Sequence, residues 1–104
     1  MAVALHGPSA AQTLREVTHH QAAPSEDQRT LTPALVDALW DSGLMTYLNV
    51  PDAGGVEPTF ADVIETWIEL ATQDGALGWI GIANLPSAMA ASAYLPAPGF
   101  AEVF

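Results

Sequence analysis

The sequence predicts a single all-α domain of four to five helices. Three observations carry this prediction: apolar residues recur at helical spacing, helix-start and helix-stop residues flank several segments, and strand signals are few. Half of the 104 residues are hydrophobic, which is enough to bury a core at this length. We interpret residues 1–8 as a tail and residues 9–104 as the domain.

The first predicted helix covers residues 9–22, and Ser9 is its potential N-cap. Proline lacks the backbone N–H that a helix interior requires, so Pro24 and its neighbours are expected to end this helix. Residues 25–30 are then predicted to be a polar connection.

The second predicted helix starts with Thr32 as N-cap and Pro33 at the first helical position, where a missing N–H costs nothing. Gly43 is the expected left-handed stop, and residues 44–50 follow as an apolar extended piece. The apolar stripe of this helix comprises Leu35, Val36, Leu39 and Trp40.

Residues 51–55 contain a proline and two adjacent glycines, which predicts a turn. Thr59-x-x-Asp62 resembles a capping box and starts the third predicted helix, which ends at Asp74. Its predicted buried stripe comprises Phe60, Val63, Ile64, Trp67, Ile68 and Ala71.

Residues 76–95 form a long apolar helical stretch with an expected bend near Pro86, and residues 96–99 are predicted to close it with a turn. Residues 100–104 begin one more element. No charge occurs in residues 75–101, a length that can span a bilayer. The glycines and prolines in this stretch, and the lack of flanking Lys or Arg, favour a buried helix of a soluble protein.

The charge balance excludes polyanionic partners. Two basic residues, Arg15 and Arg29, face twelve acidic ones, so the formal net charge is −10. Binding to nucleic acid or to an anionic membrane requires cations that this chain lacks. The chain also lacks cysteine, which excludes disulfides and thiolate chemistry and predicts a cytoplasmic protein.

Two clusters of titratable residues have a structural and a chemical interpretation. Glu16 and His20 are spaced to share a helix face beside His19, but no third metal ligand is evident, so exposed histidines are the preferred interpretation. Asp62, Glu65 and Glu69 form an acidic helix face. A solvated face, or a docking surface for a basic partner, is preferred there over acid–base catalysis.

Two further patterns concern the long apolar stretch. Ser87 and Ser92 lie in no nucleophile motif, so helix caps or satisfied core hydroxyls are expected. The spacing Gly75-x-x-Gly78-x-x-Gly81 places small residues on one helix face. This pattern predicts either close packing of a neighbouring helix or a shallow wall for an elongated or planar substrate.

Four segments in the same order resemble the N-terminal part of the acyl-CoA dehydrogenase superfamily. Residues 29–44 (RTLTPALVDALWDSGL) resemble its helix that ends in Gly-Leu, and residues 48–55 (LNVPDAGG) its V-P-x-x-x-G-G loop, shortened by one residue. Residues 59–71 are similar to its next helix, and residues 74–79 (DGALGW) to a helix start found in the branch with flavin-dependent aromatic monooxygenases.

The resemblance implies the N-terminal helical domain of a flavin-dependent oxidoreductase, without the middle β and C-terminal helical domains. FAD or reduced flavin is then the cofactor of the intact enzyme, held by those missing domains, and this chain alone is expected to bind none tightly. The implied role is one wall of the substrate pocket. By position in the family, that wall comprises Ile80, Gly81, Asn84, Leu85, Ser87 and Ala88.

The resemblance leaves several functions open. An aromatic hydroxylase fragment is one, although that branch commonly has a histidine near Ser87, which is absent here and favours a dehydrogenase-like member. A non-catalytic helical module that dimerises, or that pairs with a larger flavoenzyme subunit, is another. The expected partners are therefore the remaining domains, a larger subunit or further copies of the chain, and the isolated chain is expected to be inactive.

Overall fold

The computed structural model describes residues 5–104, which form six α-helices and no strand. The all-α class is confirmed, with one helix more than the four to five predicted. Two 3-10 helices, Leu44–Thr46 and Pro51–Ala53, lie between α3 and α4. The helices are α1 (Gly7–Gln12), α2 (Arg15–Gln28), α3 (Pro33–Asp41), α4 (Phe60–Gln73), α5 (Gly75–Tyr94) and α6 (Ala97–Val103).

The predicted helix over residues 9–22 is wrong in both bounds, because two helices occupy this region. α1 begins at Gly7, inside the predicted tail, and residues 1–4 lie outside the described part of the chain. The chain turns after Gln12, where the Thr13 hydroxyl donates to the Ala10 carbonyl oxygen at 2.6 Å. This local hydrogen bond competes with continuation of the helix.

Pro24 does not end α2, which continues to Gln28. The proline is exposed, so water can reach the backbone carbonyl that its missing N–H leaves unbonded. The next residue, Ser25, is buried, and its hydroxyl oxygen accepts a 3.1 Å hydrogen bond from the Thr32 amide. This contact favours the helical path past Pro24. The helix ends instead at Arg29, with φ of +58°.

The predicted bounds of α3 are confirmed. The Thr32 hydroxyl oxygen accepts a hydrogen bond from the Leu35 amide at 3.4 Å, and Gly43 adopts φ of +79°. The predicted stripe is only half buried, because Leu35 and Leu39 face the core whereas Val36 and Trp40 are exposed.

The prediction that residues 44–50 form an extended piece is wrong. They form a 3-10 helix followed by turns, because the left-handed backbone at Gly43 reverses the chain and buries Leu44 at once. The predicted turn over residues 51–55 is confirmed. Gly55 is required there, since a Cβ atom would overlap the Asn49 carbonyl oxygen.

The helix α4 starts as predicted, with the Thr59 hydroxyl oxygen accepting from the Asp62 amide at 3.1 Å. Its predicted buried stripe is mostly wrong. Of the predicted residues, Val63 is buried and Trp67 is half-buried. Thr66 and Leu70, which the prediction left out, are also buried. Exposed residues of the predicted stripe are Phe60, Ile64, Ile68 and Ala71.

The helices α4 and α5 meet at one residue, Asp74. Its carboxylate oxygen accepts hydrogen bonds from the Ala76 amide at 2.9 Å and from the Leu77 amide at 3.2 Å, which caps α5. α5 then runs without interruption through Pro86.

The turn predicted over residues 96–99 is confined to Leu95 and Pro96, because α6 already begins at Ala97. Pro98 lies in the first turn of α6, where the backbone N–H has no helical partner to lose.

The core lies where α1, α2, α3 and α5 converge with α4 and the first 3-10 helix. Gln73 links three helices: its amide nitrogen donates to the Ala11 carbonyl oxygen at 2.7 Å, and its amide oxygen accepts from the Thr18 hydroxyl at 2.9 Å. Nearby, Arg15 forms an ion pair with Glu69. In residues 5–104, no helix combines the length and the hydropathy that a membrane span needs. The buried core residues are Ala10, Ala11, Leu14, Leu35, Leu39, Leu44, Leu70 and Leu77.

Candidate functional site

A groove of about 480 Å³ lies between the end of α2 and the start of α5. Its size falls in the range of small-molecule sites. Trp79 and Ile80 supply its most hydrophobic wall, and Arg29 and Glu26 supply charge. The full lining comprises Ala22, Ser25, Glu26, Arg29, Thr30, Leu31, Asp74, Gly75, Ala76, Trp79 and Ile80.

Two helix ends create this groove. α2 stops at Arg29 in a left-handed conformation, so the chain turns away and leaves α2 and α5 separated at this level. On the other side, Asp74 caps α5 and fixes where Trp79 and Ile80 project. Trp79 is 69% exposed, so its indole is available to a ligand or a partner, whereas Ile80 is half-buried.

The six residues predicted to line a substrate pocket do not lie together. Ile80 is in the groove, whereas Gly81 and Leu85 are buried on the face of α5 that packs inward. Asn84 and Ser87 are exposed and bond to their own helix: Asn84 donates to the Ile80 carbonyl oxygen at 2.8 Å. Ala88 is half-buried. Only the first position of the predicted wall therefore reaches this cavity.

The glycine pattern of α5 serves mainly to pack α4. A Cβ atom on Gly78 would lie 2.7 Å from the Ala71 Cβ, and one on Gly81 would lie 3.3 Å from the Trp67 indole nitrogen. Gly75 has no atom this close and lines the groove. Of the two predicted roles, close helix packing is thus confirmed for Gly78 and Gly81.

Two buried polar atoms have no hydrogen-bond partner within residues 5–104: the Trp67 indole nitrogen and the Asn49 side-chain oxygen. Asn49 uses its amide nitrogen to bond the Ala53 carbonyl oxygen at 3.2 Å. Sequence reasoning missed both atoms, because no local pattern shows whether a buried polar atom finds a hydrogen-bond partner in the fold. The Trp67 nitrogen points toward Gly81 of α5 rather than into the groove.

A second cavity, of about 440 Å³, lies between α1 and the first 3-10 helix. It reaches Tyr47, whose hydroxyl lies beside Gly7 and Thr66. Burial raises the pKa of the Tyr47 hydroxyl, a hydrogen bond with Thr66 opposes this, and the Asp62 carboxylate raises it further. A neutral phenol with a raised pKa holds helices together here and offers no activated base.

Within residues 5–104, neither predicted cluster of titratable residues forms a metal site. His19 and His20 are exposed, and no group of three His, Asp or Glu side chains in residues 5–104 is arranged to hold a metal ion. On the acidic face, Glu69 pairs with Arg15 of α2, whereas Asp62 and Glu65 remain exposed.

Ser92 is a satisfied core hydroxyl, as predicted. It accepts a hydrogen bond from the Val50 amide at 3.1 Å and donates to the Met89 carbonyl oxygen at 2.8 Å. Ser87 is exposed and donates to the Ala83 carbonyl oxygen. Among the described residues, both serines bond only to backbone groups, so neither has a side-chain base that could activate it as a nucleophile.

The residues around this groove do not fit the pyrophosphate of FAD. A pyrophosphate needs cations or free backbone amides. Arg15 is committed to Glu69, and Asp74 already occupies the first amides of α5. Arg29 is therefore the one uncommitted arginine, and it shares the groove with Glu26 and Asp74, which repel an anion.

Comparison with protein-family models finds no match for this sequence, and comparison with curated proteins and with solved structures finds none either.

Proposed function

We propose that this chain is the N-terminal helical domain of a flavin-dependent, acyl-CoA dehydrogenase-like oxidoreductase, and that it supplies part of the substrate pocket. The observation that carries the proposal is the groove beside Trp79 and Ile80. Residues 74–79, which resemble a helix start in the branch with flavin-dependent aromatic monooxygenases, supply part of its lining.

The proposed wall differs from the one that the family positions imply. Trp79 and Ile80 line it from α5, and Ala22 and Leu31 face them from the side of α2. These apolar groups suit a hydrocarbon chain or an aromatic ring. Since the groove does not fit the pyrophosphate of FAD, the flavin is proposed to be held by domains or a subunit beyond this chain, and the chain contributes shape and exclusion of water.

One test reads the gene on the 3′ side of the Phe104 codon. The proposal predicts a reading frame, fused or adjacent, that encodes the missing flavin-binding domains. Co-expression of both parts should then yield a yellow complex with a flavin absorbance spectrum. A stop codon after Phe104 with no flavoprotein gene beside it would overturn the proposal.

A second test measures ligand binding to the groove in the isolated chain. Titration with hexanoyl pantetheine and with phenol should quench the fluorescence of Trp79 at about millimolar ligand, since one wall alone binds weakly. Trp79→Phe should abolish the quench. Trp40→Phe is the matched control, because Trp40 is also exposed but lies on α3, and it should leave the quench unchanged. A quench that survives Trp79→Phe would show that the groove is not the site.

A further inference from the structure

The outer side of α4 carries a row of large exposed apolar side chains. Phe60 is 80% exposed, Ile64 41% and Ile68 60%, at every fourth position. Because successive helix residues are rotated by about 100°, these three lie within an arc of about 80° on one side of the helix. Within residues 5–104, no other helix covers this row, although a helix buries such residues when a partner is available.

A second apolar row lies beside it on α5. Gly78 lets the two helices approach until a Cβ there would be 2.7 Å from the Ala71 Cβ. Ile82, one turn after Gly78, and Met89, two turns further on, are 48% and 40% exposed on that side of α5. We call this surface the α4–α5 outer face; it comprises Phe60, Ile64, Ile68, Ile82 and Met89.

Charge borders this face on one side only. α5 carries no charged residue from Gly75 to Tyr94. Asp62 and Glu65 of α4 are exposed on the flank of α4 that points away from α5, about 120° and about 60° around the helix from Ile68, the nearest residue of the apolar row. A partner therefore meets an apolar centre, one acidic edge and one neutral edge.

We propose that a second copy of this chain docks on the α4–α5 outer face, with α4 of each copy lying over α5 of the other. The two-fold axis runs along the seam between α4 and α5. The acidic edges then fall on opposite sides of the dimer, each beside the uncharged α5 of the other copy. Pairing α4 with α4 would bring both acidic edges together and is disfavoured by like charge.

The area suits a reversible dimer. The five side chains expose on the order of 500 Å² per copy, since aromatic side chains bury about 150–250 Å² each and large aliphatic ones somewhat less. Two such faces would bury about 1,000 Å² in total, which is at the low end of biological interfaces and suits a weak, transient association. The dimer proposal depends on this face alone and is independent of the substrate-pocket role proposed for the groove.

Sedimentation velocity between about 1 and 200 µM tests the dimer. Wild type should shift from monomer to dimer across this range. Ile64→Arg should raise the dimer Kd at least about 10-fold, because it places an unpaired charge in the apolar centre. Val36→Arg is the control: Val36 is 37% exposed on α3, and the same substitution there should change Kd by less than about 2-fold. Circular dichroism verifies that both variants fold. A wild-type monomer throughout, or equal effects of the two variants, overturns the proposal.

Cross-linking tests the direction of pairing, and the absence of cysteine makes it specific. Ala71 is exposed at the α4–α5 seam. With the two-fold axis along the seam, Ala71 of one copy lies opposite Ala71 of the other copy. Ala71→Cys should form a disulfide dimer on mild oxidation. Ala34→Cys, exposed on α3, should remain reduced under the same conditions. Equal cross-linking of both variants overturns the arrangement.

Salt dependence separates self-docking from docking of a basic partner. Each copy carries a formal charge of −10, so screening should tighten the dimer as NaCl rises from about 0.05 to 0.5 M. A lysine-rich amphipathic peptide would show the opposite trend. If the chain stays monomeric and binds such a peptide in a manner that Ile64→Arg abolishes, the occupant is a basic helix and the self-docking proposal is wrong.

Discussion

Replacing the three glycines of α5 by alanine, one at a time, measures how closely α5 packs on α4. Each replacement gains about 1 kcal/mol of helix propensity. At Gly78 the new methyl group would meet both the Cβ and the Cα of Ala71 below 3.0 Å, and backbone cannot move aside cheaply. Overpacking of this kind costs about 1–3 kcal/mol. We therefore expect Gly78→Ala to destabilise the fold by up to about 2 kcal/mol, net of the propensity gain.

The other two glycines calibrate that result. Gly75 has nothing within 4 Å, so Gly75→Ala should be neutral or stabilising by up to about 1 kcal/mol. At Gly81 the nearest atom is the Trp67 indole nitrogen at 3.3 Å, so Gly81→Ala should fall between the two.

Urea unfolding followed by circular dichroism gives the free energies, and thermal unfolding gives the same order. One kcal/mol corresponds to a Tm change of about 4–8 °C in a domain of this size. If Gly78→Ala is as stable as Gly75→Ala, the close approach of α4 and α5 is wrong, and with it the adjacency of the two apolar rows.

Two further substitutions test the contacts between helices. Gln73→Ala breaks the hydrogen bonds to Ala11 and Thr18 and should lower the free energy of unfolding by about 1–3 kcal/mol in urea denaturation. Gln12→Ala, an exposed control, should change it by less than about 0.5 kcal/mol, and equal effects would show that the Gln73 bonds contribute nothing. Burial raises the pKa of Tyr47, so the unfolded chain loses its proton first, and stability should fall as the pH rises above 10.0 toward the folded-state value. Tyr47→Phe should flatten that decline in urea titrations at alkaline pH; an unchanged slope would contradict the role of Tyr47.

The starts of α3 and α4 could be predicted from the sequence because a side-chain cap acts within one turn, whereas α1 and α2 begin without such a cap. Thr32 and Thr59 each accept a hydrogen bond from the amide three residues later, and Gly43 adopts the positive φ that its position requires. Helix ends at proline were less predictable. Pro24 is tolerated because Ser25 is held by a residue seven positions away, a contact that no local pattern contains.

The orientation of α4 could not be predicted, since its apolar residues cover more of the helix than the core does. Periodicity identifies an apolar side, but Thr66 is buried and Phe60 is not, and only the position of α1 and α5 decides between them. The same limit applies to the site. Ile80 and Gly81 are neighbours in sequence, yet one lines the groove and the other contacts Trp67.

The one-residue connection at Asp74 has a consequence for how the chain folds. α4 and α5 adjoin in sequence, so their pairing closes a short loop, whereas the bonds from Gln73 to Ala11 and Thr18 join residues 62 and 55 positions apart. Short loops close at a smaller entropic cost, so the α4–α5 hairpin is expected to form before α1 and α2 dock on it. Gly78→Ala should then act mainly by slowing folding, and Gln73→Ala mainly by accelerating unfolding. The N-terminal helices would be the first part to detach from the native protein, and their backbone amides the first to exchange with solvent.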